Sequence, residues 1–158
     1  MENKIALYGN GGHSKVLQDC AATSGTSISI VFDDVDHPYN IDENPHDKIV
    51  IAIGNNEVRE RIAGIVEHEF GILIHRSAQI AADVLIGDGT VVLANAVIQA
   101  GAEIGRHVIV NANCVIDHDA VIEDFVSIYP GAYVGGNARV GKGKTVGPNE
   151  VVERGMCV

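Results

Sequence analysis

The sequence predicts a small α/β domain over residues 1–72, followed by a parallel β-helix over residues 73–158. The β-helix is predicted by a six-residue repeat, because every sixth position from residue 74 to residue 158 holds Ile or Val. Each hexad of such a repeat forms a short strand and a corner, and the β-branched residue points into the interior. The α/β domain is predicted by apolar strands that alternate with a glycine-rich turn and helices. The predicted interior positions are Ile74, Ile80, Ile86, Val92, Ile98, Ile104, Val110, Ile116, Ile122, Ile128, Val134, Val140, Val146, Val152 and Val158.

Two further patterns share this period. Small residues recur four positions after the interior residue, as the tight corner of a narrow prism requires. They are Ala78, Thr90, Ala96, Ala102, Cys114, Ala120, Ala132 and Ala138, and the larger Val84, Val108 and Val126 occupy the same position in other hexads. Glycines directly follow several interior residues, where we expect the chain to bend and glycine to be tolerated. These are Gly87, Gly105, Gly135, Gly141 and Gly147.

The first seventy residues alternate between strand and helix patterns. Apolar runs predict strands at Lys4–Tyr8, Ile28–Phe32 and Lys48–Ile53, and helices are predicted from about Lys15 to Ala22 and from about Glu57 to His68. This order begins a doubly wound, Rossmann-like parallel sheet. Because the domain has room for only three or four strands, it is half of a dinucleotide-binding fold, and a mononucleotide such as a UDP group fits it better than NAD.

Polar clusters follow all three predicted strands, at Gly9–Ser14, Asp33-Asp34 and Gly54–Asn56. Ligands of doubly wound sheets bind beyond the carboxyl ends of the strands, which is where these clusters are expected to meet. The first cluster reads Gly-x-Gly-x-x-Ser, with Ser14 in place of a third glycine, and this partial fingerprint also occurs in plain strand-to-helix turns. A glycine turn before a helix nevertheless favours phosphate, because unpaired N–H groups and the positive end of the helix dipole face the ligand.

Chemistry within the repeats must come from residues at exposed corners, and the outstanding cluster is Asp117-His118-Asp119. A carboxylate that accepts a hydrogen bond from one ring nitrogen makes the other a better proton acceptor near neutral pH. A solvated corner histidine without a role is the alternative. We interpret His107 as a face residue without function. His107 and His118 are eleven residues apart, and Ala82 stands two coils before His118, so the histidines do not have the spacing of a zinc site and we expect no metal.

Composition excludes several classes of partner. The net charge of −10 argues against nucleic acid and anionic membranes. With no signal peptide and no apolar run near twenty residues, we expect a soluble cytoplasmic protein. Cys20, Cys114 and Cys157 form no CxxC motif and are interpreted as free thiols in a reducing compartment.

The chain resembles the bacterial sugar O- and N-acyltransferases that join an N-terminal nucleotide-sugar domain to a left-handed β-helix. These include UDP-4-amino-sugar N-acetyltransferases and relatives of the sialic acid O-acetyltransferases. The resemblance implies the left hand of the helix. It covers most of the chain and rests on IALYGNGGHSKV (Ile5–Val16), VFDD (Val31–Asp34), IAIGNNEVRERI (Ile51–Ile62), LIHRSAQIAADVLIGDGTVV (Leu73–Val92), NANCVIDHDAVIEDF (Asn111–Phe125) and PGAYVGGNARVG (Pro130–Gly141).

The resemblance implies acetyl transfer from acetyl-CoA to the amino group of a UDP-linked 4-amino sugar in glycan biosynthesis. His118 is then the general base and Asp119 orients it. The amine attacks the thioester directly, and backbone N–H groups near Gly135 stabilise the oxyanion. Ser127 stands where the family often has a second histidine beside acetyl-CoA. The residues implied to hold the UDP portion are Gly9, Gly11, Gly12, His13, Asp33, Asp34, Gly54, Asn55 and Arg59.

Family members are homotrimers with sites between subunits, so His13 of one chain and His118 of a neighbour are expected to converge. Two alternatives stay open. A sugar O-acetyltransferase of the sialic acid type would use the same residues on a hydroxyl. A non-catalytic nucleotide-sugar-binding module is suggested by the β-helix ending at Val158, without the further coils that family members carry.

Overall fold

A three-stranded parallel sheet with two helices forms the N-terminal part of the computed structural model, which describes residues 3–158. Its elements are β1 (Asn3–Tyr8), α1 (Gly12–Thr23), β2 (Thr26–Phe32), β3 (Lys48–Ile51) and α2 (Asn56–Ala63), and the strand order is β2-β1-β3. The predicted elements are all present. Helix α2 ends earlier than the predicted His68, because Gly64 follows its last residue and glycine is a poor helix former.

The two faces of this sheet are covered by different neighbours. Residues alternate in a strand, so Leu7 packs with Leu17 of α1 on one face, while Ala6 and Tyr8 pack with Ile62 of α2 on the other. Burial on both faces explains why the strands are near-continuous apolar runs. The α1 face continues into the β-helix, which positions the domain against one side of that helix.

The rest of the chain forms two-residue strands separated by corners. They are β4 (Leu73–Ile74), β5 (Gln79–Ile80), β6 (Leu85–Ile86), β7 (Val91–Val92), β8 (Val97–Ile98), β9 (Glu103–Ile104), β10 (Ile109–Val110), β11 (Val115–Ile116), β12 (Val121–Ile122), β13 (Ser127–Ile128), β14 (Tyr133–Val134), β15 (Arg139–Val140), β16 (Thr145–Val146) and β17 (Val151–Val152). They stack into a first sheet (β16-β13-β10-β7-β4), a second sheet (β17-β14-β11-β8-β5) and a third sheet (β15-β12-β9-β6), all parallel where paired. One coil is eighteen residues, since Val91 pairs with Ile109 and Ile109 with Ser127.

The predicted interior positions fill the β-helix. From Val92 to Val152 each of them is at most 3% exposed, and the small residues from Thr90 to Ala138 are at most 1% exposed. Exposure rises at the two ends of the stack, to 37% at Ile74 and 45% at Val158, because a coil covers each from one side only. The hexad prediction is therefore confirmed.

The corners depend on one residue per hexad in the left-handed region. From residue 89 to residue 155 every sixth residue has a φ between 54° and 79°. They are Gly89, Asn95, Gly101, His107, Asn113, Asp119, Phe125, Gly131, Asn137, Gly143, Asn149 and Gly155. Gly, Asn and Asp tolerate this conformation best. At Gly87, Gly105 and Gly135 the glycine that follows an interior residue has a different role from the predicted one. A Cβ at Gly105, for example, would lie 2.7 Å from the main-chain nitrogen of Asp124, so glycine is needed there for the close approach of the next coil.

Two bulky residues in left-handed corners, His107 and Phe125, lie where the α/β domain packs against the β-helix. This contact region between the two units is called the joint. His107 is 2% exposed, stacks on Phe125 with ring centroids 4.9 Å apart, and meets the edge of Phe70 at 4.4 Å. Burial, with the charges of Arg106 and Arg59, lowers the pKa of His107 to about 4. The interpretation of His107 as a face residue is therefore wrong, since its ring is packed between the α/β domain and the β-helix. Among the described residues, no helix has the length and apolar character needed to cross a membrane.

Candidate active site

The predicted ligand cleft forms at the carboxyl ends of β1, β2 and β3. The N–H of Gly9 donates to the carbonyl of Phe32 at 2.7 Å, which ties the end of β1 to the end of β2. Gly9 has a φ of 115°, and a Cβ there would lie 3.0 Å from the carbonyl oxygen of Ala52. Only glycine fits this turn, and the turn brings the three polar clusters to one edge of the sheet.

The start of α1 faces this cleft without a side-chain cap. Gly11 is the N-cap residue, and no side chain accepts from the first N–H groups of the helix. A Cβ at Gly11, Gly12 or Gly54 would meet no atom within 4 Å, so the chain itself does not fill the space beside them. Uncapped N–H groups next to open space fit an anionic group such as phosphate.

The two acidic residues after β2 have different surroundings. The Asp33 carboxylate accepts from the main-chain N–H groups of Asp36 and Val35, which hold its pKa below the usual range. The hydroxyl of Tyr8 donates to Asp34 at 2.6 Å, and burial together with this bond raises the pKa of Tyr8 to about 12. Asp33 thus shapes the loop, whereas Asp34, exposed and oriented by Tyr8, is the acid that can meet a ligand.

His13 lines a cavity of about 170 Å³ between the α/β domain and the first sheet. Burial, followed by the nearby charge of Arg59, lowers the pKa of His13 to about 4, so its ring is neutral at pH 7. Within the described part of the chain its buried Nε2 has no hydrogen-bond partner. Asn111 and Tyr129 also line this cavity, and sequence analysis missed both, because neither breaks the hexad pattern in a recognisable motif.

Arg59 does not face the cleft. It is 1% exposed, and all three of its side-chain nitrogens donate hydrogen bonds of 2.8–3.2 Å. The acceptors are the main-chain oxygens of His107, Ile53, Gly54 and Phe125 and the side-chain oxygens of Asn56 and Ser127. Burial lowers the pKa of Arg59 to about 10. The prediction of a direct nucleotide contact is wrong for this residue, because its donors are already used to join α2 to the β-helix.

Ser127 belongs to the same joint. It is 2% exposed, its hydroxyl donates to Asn56 Oδ1 at 2.6 Å, and it accepts from Arg59 at 3.2 Å. The side-chain amide of Asn56 also donates to the main-chain oxygens of Gly143 and Lys144. The predicted contact of Ser127 with acetyl-CoA is therefore not supported, since this hydroxyl is buried between the two units.

His118 lies at the corner between β11 of the second sheet and β12 of the third. Its Nδ1 lies 2.8 Å from Asp119 Oδ2, which is the predicted pairing of a base with an orienting acid. Asp119 has a φ of 58°, and its carboxylate lies over Gly101 one coil earlier, where a Cβ would collide with it. The His118 side chain is 41% exposed, so its other nitrogen is accessible to a substrate.

Gly136 lies one coil after His118 and bounds the imidazole. A Cβ there would be 2.7 Å from His118 Nε2, so glycine leaves the room that the ring occupies. The N–H of Gly136 has no acceptor among residues 3–158, whereas the N–H of Gly135 donates to Val152 at 2.9 Å. Of the two glycines at the predicted oxyanion position, Gly136 is therefore the one whose N–H is not used by the described residues.

The cleft and the base lie on different sides of one chain. His13 packs against β10 and β13 of the first sheet, whereas His118 follows the second sheet. No hydrogen bond or ion pair of the described residues joins His118 to the cleft. The same residues contain no group of three or more His, Cys, Asp and Glu side chains that could hold a metal ion.

An α/β nucleotide-type domain on a hexad β-helix, with an acid-paired histidine at a corner, defines the class of hexapeptide-repeat transferases. Family signatures agree with this class: the PglD N-terminal domain matches residues 4–66, and the bacterial transferase hexapeptide matches residues 83–118. The acetyltransferase domain of PglB from Neisseria gonorrhoeae is 33% identical, with a TM-score of 0.76 and coverage of 99% of this chain and 91% of that one. The chain belongs to this family of bacterial sugar acetyltransferases, and the predicted fold with its left-handed β-helix is confirmed.

The chain is also similar to acetyltransferases whose donor or acceptor is known. The same PglB domain in complex with acetyl coenzyme A is 31% identical, covers 100% of this chain and 93% of its own, and has a TM-score of 0.79. A UDP-N-acetylbacillosamine N-acetyltransferase from Bacillus subtilis is 37% identical over 57% of this chain, and the match spans about half (51%) of that relative. Perosamine N-acetyltransferase from Caulobacter crescentus, in complex with CoA and GDP-perosamine, shares the fold at 24% identity and a TM-score of 0.79, with coverage of 100% of this chain and 89% of its own.

Proposed function

We propose that this chain transfers the acetyl group of acetyl-CoA to the amino group of a UDP-linked 4-amino sugar. The observation that carries the proposal is the His118–Asp119 pair, 2.8 Å apart, beside the unpartnered N–H of Gly136. Acyl transfer to an amine requires a general base for the amine proton and an N–H donor for the oxyanion, and these two groups are neighbours here. The PglB domain that binds acetyl-CoA and the UDP-sugar enzyme of Bacillus subtilis support the same donor and acceptor class.

The proposed reaction has one addition step and one collapse. The sugar nitrogen attacks the thioester carbonyl carbon while Nε2 of His118 removes a proton from it. Asp119 keeps Nδ1 protonated and stabilises the imidazolium that forms. The N–H of Gly136 stabilises the oxyanion, which then collapses, breaks the C–S bond and releases CoA thiolate. The imidazolium returns its proton to the thiolate, so the enzyme ends the cycle unchanged.

The nucleotide is proposed to bind at the edge formed by the turn at Gly9, Gly11 and Gly12, the acid Asp34, and the turn at Gly54 and Asn55. The uncapped start of α1 favours the phosphates, and Asp34 favours a ribose hydroxyl. The cavity at His13 contacts the first sheet, whereas His118 lies past the second, and this separation supports a site that is shared between two chains. We therefore propose a homotrimer in which His13 of one chain serves the base of a neighbour. The free thiols Cys20 and Cys114 and the acetyl-CoA donor fit a cytoplasmic reaction.

The reaction is tested directly by incubation with acetyl-CoA and a panel of UDP- and GDP-linked 4-amino sugars. We expect CoA release that depends on the amino sugar, and an acetylated product that survives mild alkali as an amide. An alkali-labile ester on a hydroxylated sugar would identify an O-acetyltransferase instead. Thermal stabilisation by UDP-sugars without CoA release would identify the binding module.

Shared sites can be tested by mixing two inactive variants. His13→Ala and His118→Ala proteins, denatured and refolded together, should regain part of the activity, because mixed oligomers contain sites with both histidines. Each variant refolded alone should stay inactive. Absence of recovery in mixed oligomers of verified stoichiometry would place both histidines in the site of a single chain.

Asp34→Ala should raise KM for the sugar nucleotide about tenfold, the equivalent of one hydrogen bond to a charged group. KM for acetyl-CoA should not change, because Asp34 belongs to the α/β domain and not to the corner of His118. Asp36→Ala is the matched control, since Asp36 is exposed in the same loop and only its main chain contacts Asp33. An Asp34→Ala enzyme that weakens only acetyl-CoA would show that this cleft holds the other substrate.

Gly136→Ala should lower kcat by about 10- to 100-fold, because its Cβ would displace the imidazole of His118 from the oxyanion donor. Gly147→Ala is the control, since a Cβ there meets only the flexible side chain of Glu150 at 3.0 Å. Steady-state kinetics with both substrates separates the two variants. Equal turnover in the two would mean that the free N–H of Gly136 has no part in the reaction.

A further inference from the structure

Asp117 precedes the proposed base and is held by two hydrogen bonds. Its Oδ1 accepts from the main-chain N–H of His118 at 2.7 Å, and its Oδ2 accepts from the hydroxyl of Tyr133 at 2.8 Å. These two bonds, with the larger effect from the N–H of His118, hold the pKa of Asp117 below its usual range. The carboxylate is therefore ionised at neutral pH and can only accept, so both partners are donors.

The turn itself does not require a carboxylate at this place. Asn111 occupies the same position one hexad earlier, and its Oδ1 accepts from the N–H of Ala112 at 2.8 Å. An amide oxygen thus forms the same local turn. What distinguishes Asp117 is its second partner, because Tyr133 reaches it from the next coil.

Tyr133 is well placed to fix this corner. It is the outward residue of β14 and pairs in register with Val115 of β11, so it lies one coil after the strand that leads into Asp117 and on the same face. Its hydroxyl donates to Oδ2 of Asp117 and so restrains rotation of this carboxylate. The other oxygen of the same carboxylate accepts from the main-chain N–H of His118. The position of the imidazole between Asp119 and Gly136 depends on that main chain.

We propose that Tyr133 is a positioning residue, which acts through Asp117 to hold His118 in line with the N–H of Gly136. The inference rests on the proposed acetyl transfer and names a residue outside its predicted site. Tyr133 touches neither reacting atom in this assignment. Its effect is on the geometry of the base and not on the binding of either substrate.

Tyr133→Phe removes the hydroxyl and keeps the ring. We expect kcat to fall about tenfold, with KM for the sugar nucleotide and for acetyl-CoA unchanged and the melting temperature close to wild type. The same substitution in a His118→Ala background should cause no further loss, because no base remains to be positioned. In an Asp117→Asn background it should also add little, since the amide keeps the turn, as at Asn111, but the charged acceptor of Tyr133 is gone.

The chain offers a matched control at the next face. Arg139 is the outward residue of β15, and its Nε donates to Glu123 at 2.7 Å, with the same sixteen-residue separation as Tyr133 and Asp117. No histidine follows Glu123. Arg139→Gln breaks an equivalent inter-coil contact and should leave kcat unchanged, so an equal loss in Arg139→Gln would assign the effect to general loosening of the coils.

The outcomes separate this proposal from the proposed function. A wild-type protein without acetyl transfer to any amino sugar would overturn the function itself. An active wild type with an inactive His118→Ala variant and a fully active Tyr133→Phe variant would overturn only the role of Tyr133. A rise in KM at constant kcat, or a full tenfold loss retained in the His118→Ala background, would also overturn it and assign Tyr133 to binding.

Discussion

Replacing His118 with alanine should lower kcat about 10²–10⁴-fold, the range observed when a general base is lost. The proposed amine nucleophile must lose a proton as it attacks the thioester, and Nε2 of His118 is the exposed acceptor beside the N–H of Gly136. KM for the sugar nucleotide should change little, because the nucleotide cleft does not include His118. Release of CoA under steady-state conditions measures the loss.

The fold itself tolerates alanine at this corner. Ala94, Ala100 and Ala112 occupy the equivalent position in other hexads, so the His118→Ala variant should melt at the wild-type temperature. Asp119→Asn should cost less activity than His118→Ala, because the imidazole stays and only its orientation and the compensating charge are weakened. Near wild-type turnover in His118→Ala would return His118 to a solvated corner residue and favour a nucleotide-sugar-binding module.

The interior of the β-helix could be predicted because each hexad requires the same residue shapes at the same positions. A position such as Val110 must be β-branched to fill the narrow interior, and position 114 must be small to fit the corner. The pattern can therefore be recognised from the local sequence, without knowledge of contacts between distant residues. The carboxyl-end clusters were predictable for a similar reason. In a parallel sheet the ends of β1, β2 and β3 reach one edge, whatever the details of their loops.

The features that could not be predicted are contacts between residues far apart in the sequence. Gly135 and Gly136 are adjacent and chemically identical, and only stacking of the next coil shows that the N–H of Gly135 is used by Val152 while that of Gly136 is free. Arg59 follows a strand end in a motif with the composition of a binding turn. A buried arginine without a carboxylate partner is rare. The acceptors of Arg59 are mainly main-chain oxygens, which every residue has, so the sequence pattern does not indicate them. The same holds for Ser127, whose burial depends on α2 lying against the first sheet.

Arg59→Met should lower the free energy of unfolding by about 3–5 kcal/mol, the range for breaking a buried polar network. Methionine has a similar length but no donors, so the main-chain oxygens of His107 and Phe125 would lose their partner inside the joint. The loss should be measurable in the absence of any ligand by urea unfolding, and as a fall in melting temperature of roughly 10 °C.

The matched control for this prediction is Arg61→Met, two residues along the same helix. Arg61 is exposed, and a surface change of this kind usually alters stability by less than about 0.5 kcal/mol. The comparison separates a structural role from the nucleotide contact first expected for Arg59. If Arg59 held the nucleotide, Arg59→Met would leave the stability of the free protein unchanged and would weaken only the binding of the sugar nucleotide. Because every side-chain nitrogen of Arg59 is already bonded to the protein, we expect the loss of stability to appear before any ligand is added.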